Sequence, residues 1–208
     1  MKRFSGALKT IFYKIRKIEN KTSQKGFTLI EVLVSIAIIT ILASILLPGY
    51  SSFRYRFALL RSSYKLSHDF RGAQEISVSA KELPTLEVPP GYGIYLKKGL
   101  TEKTYILYAD TYPSGGNEQY DLNQDAVVEI IKLESGVYIK DIVTTPLGTS
   151  SNKLSVNFRG PDPLTKISVL DTVLGETTAI ITLGLTSDNS LTQQVFVNKV
   201  GLIYVLKQ

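Results

Sequence analysis

The run of 21 residues from Phe27 to Leu47 contains Glu31 as its only charged residue. At about 1.5 Å rise per residue, a helix of this length spans roughly 30 Å, the thickness of the hydrocarbon core of a bilayer. Residues 1–26, which precede the run, hold eight basic residues against one acidic residue, so their net charge is 8 − 1 = +7. A basic flank of this kind stays on the cytoplasmic side. The pattern predicts one transmembrane helix, a cytoplasmic leader, and a remainder outside the cytoplasm.

Two ordinary types of apolar segment fit this run poorly. The apolar region of a secretory signal peptide has about 7 to 15 residues and ends at a small-x-small cleavage site, and neither feature is evident here. A simple signal anchor leaves Glu31 unexplained, because an ionisable group inside a membrane costs on the order of 3 kcal/mol. No Lys, Arg or His lies within the run. The charge that pairs with Glu31 must therefore come from a chain terminus or from another chain.

Composition excludes several classes of catalytic and metal site. The chain has no cysteine, which removes disulfides, thiolate nucleophiles and Cys-ligated metals. His68 is the only histidine, so sites built from several histidines are excluded. Residues 27–208 hold 16 basic and 17 acidic groups, a net charge of 16 − 17 = −1, so the high isoelectric point belongs to the leader. We predict that the protein is not an enzyme and has no cofactor.

The residues Lys25–Val32, in sequence Lys-Gly-Phe-Thr-Leu-Ile-Glu-Val, resemble the processing motif of type IV pilins and type II secretion pseudopilins. The resemblance implies that a prepilin peptidase cleaves after Gly26 and methylates the new amino group of Phe27. It also implies that Glu31, then the fifth residue of the mature chain, neutralises the amino terminus of a neighbouring subunit during assembly. This supplies the partner charge that the apolar run lacks.

Pro48 and Gly49 follow the apolar run and resemble the helix break of many pilins, since proline removes one helical hydrogen bond. The alternative is a simple end of the membrane helix. Residues 50–82 then show apolar residues at helical spacing, so residues 27–82 are predicted to be helical, with 27–47 in the membrane. Two opposite apolar faces are predicted, one for the chain's own domain and one for neighbouring helices: Leu59, Leu66, Phe70 and Ala73 on one, and Phe53, Phe57, Leu60 and Tyr64 on the other.

Residues 83–208 change to short β-rich runs bounded by Gly, Pro, Asn and Asp, typical of an antiparallel β domain. Asn198–Gly201 reads as a hairpin turn between the last two runs. We therefore predict a pilin-like α+β fold, with a long N-terminal helix and a sandwich-like antiparallel β domain. The predicted strands are 92–96, 104–109, 126–133, 137–142, 154–158, 178–185, 193–198 and 202–206.

The layout of helix, first strand, acidic loop and final hairpin is similar to that of H-type minor pseudopilins and FimT-like minor pilins. Some pseudopilins bind calcium, and the candidate oxygen ligands here are Asp110, Asp121, Asn123 and Asp125. The last three open with the spacing of an EF-hand loop, but Ala126 and Lys132 stand where Gly and Glu are required. The alternative is a polar turn without a metal.

The resemblance implies a minor pilin or pseudopilin subunit. Its expected partners are the prepilin peptidase, other subunits, the assembly platform of the inner membrane, and membrane lipid before assembly. Two alternatives are a DNA-binding minor pilin for DNA uptake and an extracellular binding module on a simple signal anchor. DNA binding is disfavoured by the net charge of −1 and by the lack of any arginine after Arg159.

Overall fold

A long N-terminal helix precedes two β-sheets in the computed structural model. The structure describes residues 26–206 except 86, 113, 147, 149, 162–163 and 170–176. The predicted leader before Gly26 therefore lies outside the described residues. The chain divides into two compact units, one that ends at Gly49 and one that begins at Tyr50. The architecture confirms the predicted α+β, pilin-like fold.

Helix α1 extends over Leu29–Val78. The predicted break at Pro48 and Gly49 is not present, and neither is the alternative end of the helix, because the helix assignment continues through both residues. Proline removes only one backbone donor, and the hydrogen bonds of the flanking turns are enough to carry the helix past it. The helix also stops four residues earlier than predicted. There the amides of Ala80 and Lys81 donate to the carbonyls of Ser77 and Ile76 at 3.2 Å each, with Ala80 at a φ of 48°, as in a Schellman C-cap.

The C-terminal part of α1 has the two predicted faces. Phe70 and Leu66 are fully buried, whereas Phe57 and Phe53 are 58% and 64% exposed. Each set agrees with its prediction: Leu59, Leu66, Phe70 and Ala73 are buried, and Phe53, Phe57, Leu60 and Tyr64 are exposed. The helical spacing of apolar residues therefore identified correctly which side chains enter the core.

In the described part of the chain, nine antiparallel strands form two sheets, in the orders β3-β2-β1-β5-β6 and β4-β7-β8-β9. The buried face of α1 and residues from both sheets form one hydrophobic core. The strands are β1 (Gly91–Lys97), β2 (Thr104–Asp110), β3 (Ala126–Lys132), β4 (Val137–Thr145), β5 (Lys153–Arg159), β6 (Leu164–Ser168), β7 (Thr178–Leu185), β8 (Thr192–Asn198) and β9 (Ile203–Leu206).

Eight of these strands were predicted, and β6 was missed. Its five residues come directly after Pro161 and Pro163, and proline so close to a short run indicates a loop. Pairing with β5 overrides that signal, since five residue pairs from Ser155–Ser168 to Arg159–Leu164 hold β6 at the sheet edge.

The predicted hairpin between β8 and β9 is confirmed. The side-chain Oδ1 of Asn198 accepts hydrogen bonds from the amides of Val200 and Leu202 at 3.0 and 2.9 Å. Gly201 has a φ of 83°, in the left-handed region that favours glycine. The turn brings Val197 opposite Ile203, and both are buried in the core.

Candidate functional site

The segment Gly26–Thr28 is non-helical and lies immediately before α1. Phe27 is 82% exposed. Among the described residues, a Cβ atom added to Gly26 would have no heavy atom within 4 Å. In the described part of the chain, the peptide bond between Gly26 and Phe27 is therefore accessible to another protein, and no contact there requires glycine.

Thr28 is the N-cap of α1. Its carbonyl accepts from the amides of Glu31 and Val32 at 3.1 and 3.2 Å, and its Oγ1 accepts from the Glu31 amide at 3.3 Å. Thr28 and Glu31 have the Thr-x-x-Glu spacing of a capping box, a signal that the sequence analysis did not use. The cap places Glu31 in the first helical turn, where the positive end of the helix dipole favours a carboxylate.

The apolar part of α1 contains the one candidate membrane span among the described residues, Leu29–Leu47. None of that window is buried within the chain. Its hydroxyl groups are satisfied inside the helix, because Ser35 donates to the Glu31 carbonyl at 2.7 Å and Thr40 to the Ile36 carbonyl at 2.8 Å. The described residues give the Glu31 carboxylate no ion-pair partner. Glu31 is thus the one ionisable group of an otherwise apolar, lipid-compatible surface.

The candidate ligands Asp110 and Asp125 organise the loop between β2 and β3, and both are buried. Asp110 accepts from the amides of Asn117 and Glu118 at 3.1 and 2.8 Å, and from the Asn157 side chain at 3.2 Å. Asp125 accepts from three backbone amides, those of Thr111, Tyr112 and Asp121, at 2.8 to 2.9 Å. Both carboxylates therefore accept from backbone N–H groups of the loop, and Asp110 also accepts from the side chain of Asn157 on β5.

The remaining two candidate ligands, Asp121 and Asn123, belong to the same loop. Asp121 accepts from the Asn117 side chain at 2.6 Å, and Asn123 occupies a turn with a φ of 64°. In the described part of the chain, no group of three or more His, Cys, Asp or Glu side chains is arranged to hold a metal. The geometry is that of a hydrogen-bonded loop.

Three tyrosines beneath this loop form a second, small cluster that sequence reasoning missed. Tyr120, from the loop, packs its ring against Tyr95 and Tyr108 with ring centres 4.6 and 5.1 Å apart. The Tyr108 hydroxyl is hydrogen-bonded to Ser155 at 2.6 Å. The alternation of the strands places Tyr95 and Tyr108 on sheet faces, but no pattern in the sequence shows that Tyr120 folds back onto them.

Burial raises the pKa of Asp110 from its ordinary value of 3.8 to about 6, against the opposing effect of the Glu118 and Asn117 amides. Between pH 4 and 6 the folded protein then binds more protons than the unfolded chain. The contribution of Asp110 to the unfolding free energy should therefore fall as pH rises through this range, by up to about 3 kcal/mol. Urea unfolding of the full chain in detergent, followed by tyrosine near-UV circular dichroism, measures this slope.

Asp110→Asn is the matched variant for this prediction, because it keeps the shape of the side chain without the titration. Its stability should lie below that of the wild type, since one loop amide loses its acceptor, and should vary less between pH 4 and 6. An equal slope in both proteins would assign the pH dependence to other groups.

The chain is similar to known proteins in its N-terminal segment and beyond it. Residues 21–47 match the family model described as the prokaryotic N-terminal methylation motif. Two fimbrial proteins of Pseudomonas aeruginosa are 33% and 32% identical over 130 residues, which covers 59% of this chain and 78% of each relative. An uncharacterized protein of Aquifex aeolicus strain VF5 is 29% identical over 140 residues, or 56% of this chain and 79% of that protein. No solved structure matches the chain.

Proposed function

Because the chain belongs to the type IV pilin superfamily, we propose that it is a minor pilin subunit, processed after Gly26 and incorporated into a type IV pilus or a related pseudopilus. The fimbrial relatives favour the pilus. The absence of cysteine favours a minor subunit, because major pilins commonly carry a carboxyl-terminal disulfide. The role is structural, since the relatives are fimbrial proteins.

The observation that carries this proposal is the geometry at the start of α1. An exposed, non-helical Gly26–Thr28 segment leads into a helix capped by Thr28, with Glu31 in its first turn. Cleavage after Gly26 would create an amino terminus at Phe27. Glu31 would then be the fifth residue of the mature chain. That amino group is the positive charge that the carboxylate of another subunit lacks within its own apolar span.

The proposed life cycle has two stages. The precursor is anchored by Leu29–Leu47, in our proposal in the inner membrane, with its β domain outside the cytoplasm. After processing by the prepilin peptidase, the assembly platform moves the subunit from lipid into the filament. The exposed face of α1 around Phe57 and Tyr64 would then contact neighbouring helices.

The intact mass and N-terminal sequence of the protein, expressed with and without a prepilin peptidase, test the proposal. We expect a chain that begins at Phe27 and carries one added methyl group, only when the peptidase is present. Gly26→Val should remain uncleaved. Because no described residue lies within 4 Å of a Cβ at this position, the loss of processing would reflect recognition by the peptidase. A leader retained beside an active peptidase would favour the binding module on a simple anchor.

A DNA-uptake subunit is the alternative proposal within the same superfamily. A groove of about 720 Å³ between α1 and β9 favours it, because the groove combines basic side chains with two tyrosines, the combination that binds single-stranded nucleic acid. The groove is lined by Arg61, Tyr64, Lys65, Ser67, His68, Arg71, Tyr204 and Val205. Salt-sensitive retardation of DNA by the purified protein would support this role.

A further inference from the structure

Aromatic and arginine residues alternate in α1 shortly after the apolar span, in the order Phe53-Arg54-Tyr55-Arg56-Phe57. The span ends at Leu47, so this segment begins six residues later. All three rings are solvent-exposed, Phe53 by 64%, Tyr55 by 40% and Phe57 by 58%. Tyrosine and arginine side chains favour the headgroup level of a bilayer, because each has an apolar part and a polar end, and the two phenylalanine rings add apolar area beside them.

Four of these five residues, all except Arg56, line a cavity of about 480 Å³ between α1 and the turn that joins β3 to β4. One wall carries Phe53 and Phe57, whose ring centres lie 6.3 Å apart. The opposite wall is the turn. The Tyr55 ring lies close to this turn, because a Cβ atom built on Gly136 would be 3.5 Å from the ring. The lining consists of Phe53, Arg54, Tyr55, Phe57, Ala58, Arg61, Glu134 and Ser135.

The charge of this cavity is positive. Two arginines, Arg54 and Arg61, line it, and Glu134 is the one acid in the lining. The Oε1 atom of Glu134 lies 3.4 Å from Nη1 of Arg61, and the two side chains are 39% and 70% exposed. This ion pair is therefore solvated and screened. Along the helix, no acidic residue stands between Glu31 and Asp69. The helix segment that follows the membrane span is thus basic and aromatic, and Asp188 of the β7–β8 turn lies near its Arg56.

We propose that this cavity binds the headgroup of an anionic phospholipid while the precursor is in the membrane. Arginine N–H groups bind phosphate oxygens through charge-assisted hydrogen bonds, and the two phenylalanine rings would lie beside the glycerol and upper acyl carbons. Helix α1 continues without interruption from the span into this segment. The anionic groups nearest to it along the chain are therefore the headgroups of the leaflet from which the helix emerges.

The inference rests on the membrane-bound precursor of the proposed function and extends it to assembly. Phe53 and Phe57 belong to the face that neighbouring helices are expected to cover in a filament. Binding of lipid and contact between subunits at this face would exclude each other. Extraction from the membrane would therefore exchange a bound lipid for a neighbouring subunit.

The test uses the full chain in bilayers and a fluorescent probe at the site. The chain has no tryptophan, so Phe57→Trp provides a single reporter. Lipids brominated high on the acyl chain quench its fluorescence on contact, and phosphatidylglycerol and phosphatidylcholine are brominated in separate samples. We expect the anionic lipid to bind about fivefold better at low salt, the factor for about 1 kcal/mol from one arginine near an anionic surface.

Arg54→Gln combined with Arg61→Gln, in the Phe57→Trp background, should bring the two lipids to equal binding. Lys132→Gln removes an exposed positive charge on β3 instead and should keep the preference. Thermal unfolding verifies that each variant retains its β domain. Equal quenching by both lipids in the parent protein, or a preference that survives loss of both arginines, would overturn the proposal.

Two further arms distinguish a bound lipid from a general phosphate site and keep the lipid site separate from the pilin role. Glycerol phosphate in solution, which carries the phosphate without acyl chains, should leave quenching unchanged at millimolar concentration, and competition by it would assign a general phosphate site. Peptidase cleavage of the same samples is measured in parallel. An uncleaved leader with lipid preference intact would refute the pilin role, whereas normal cleavage without lipid preference would refute only the lipid site.

Discussion

Replacing Glu31 with alanine is expected to leave cleavage after Gly26 intact and to lower the amount of protein in filaments at least tenfold. Glu31 is two residues inside α1 and is the only ionisable group of the candidate span. The described residues provide no ion-pair partner for its carboxylate. In the proposed filament, the amino group of Phe27 in a neighbouring, processed subunit would supply that partner.

The magnitude follows from the cost of an unpaired charge in apolar surroundings. Removing one partner of a buried ion pair typically costs about 3 to 5 kcal/mol, because the other charge remains without compensation. In the Glu31→Ala filament, the unpaired group would be the amino terminus of the adjacent subunit. Glu31→Gln has nearly the same shape without the charge, and we expect it to be as defective as alanine.

The ratio of mature protein in sheared filaments to mature protein in membranes measures this effect. Ser35→Ala is the control on the same helix, because the Ser35 hydroxyl only bonds back to the Glu31 carbonyl. It should be incorporated normally. If Glu31→Gln filaments contained the wild-type amount of subunit, the charge would have no part in assembly and the role of Glu31 would have to be steric.

The sequence predicted those features that depend on local spacing. The 21-residue apolar run, the two faces of α1 and the alternating strands each repeat a simple period, so their burial follows from position alone. Glu31 was identified because a carboxylate in a lipid-facing span is expensive wherever the rest of the chain folds.

Features that depend on pairing at a distance were not predicted. The short strand β6 is stabilised by β5 despite its flanking prolines. Asp125 was considered as a calcium ligand because of its spacing from Asp121 and Asn123, and Asp110 as an added ligand from the preceding strand; in the structure their oxygens accept loop amides and the Asn157 side chain. Which donor reaches a carboxylate depends on how the loop between β2 and β3 folds back over the sheet. The packing of Tyr120 on Tyr95 depends on the same folding of the loop.

Phe70→Ala is expected to destabilise the β domain by about 3 to 5 kcal/mol, whereas Phe57→Ala should change its stability by less than about 1 kcal/mol. The two truncations delete the same atoms from the same helix. Phe70 is fully buried in the core formed with both sheets, and Phe57 is 58% exposed. For a unit of this size the first change lowers the melting temperature by roughly 6 to 20 °C.

Near-UV circular dichroism of the full chain in detergent measures this difference, because the cluster of Tyr95, Tyr108 and Tyr120 reports the β domain and not the membrane helix. In a filament assay the order should be reversed: at temperatures where both variants are folded, Phe57→Ala should be incorporated less well than Phe70→Ala. Phe57→Ala folds normally but removes apolar area from the face expected to meet neighbouring helices, so its incorporation should fall at temperatures where its domain remains folded. Equal melting shifts for the two variants would mean that both faces of α1 are packed inside the same subunit, and α1 would then have no free face to offer a neighbour.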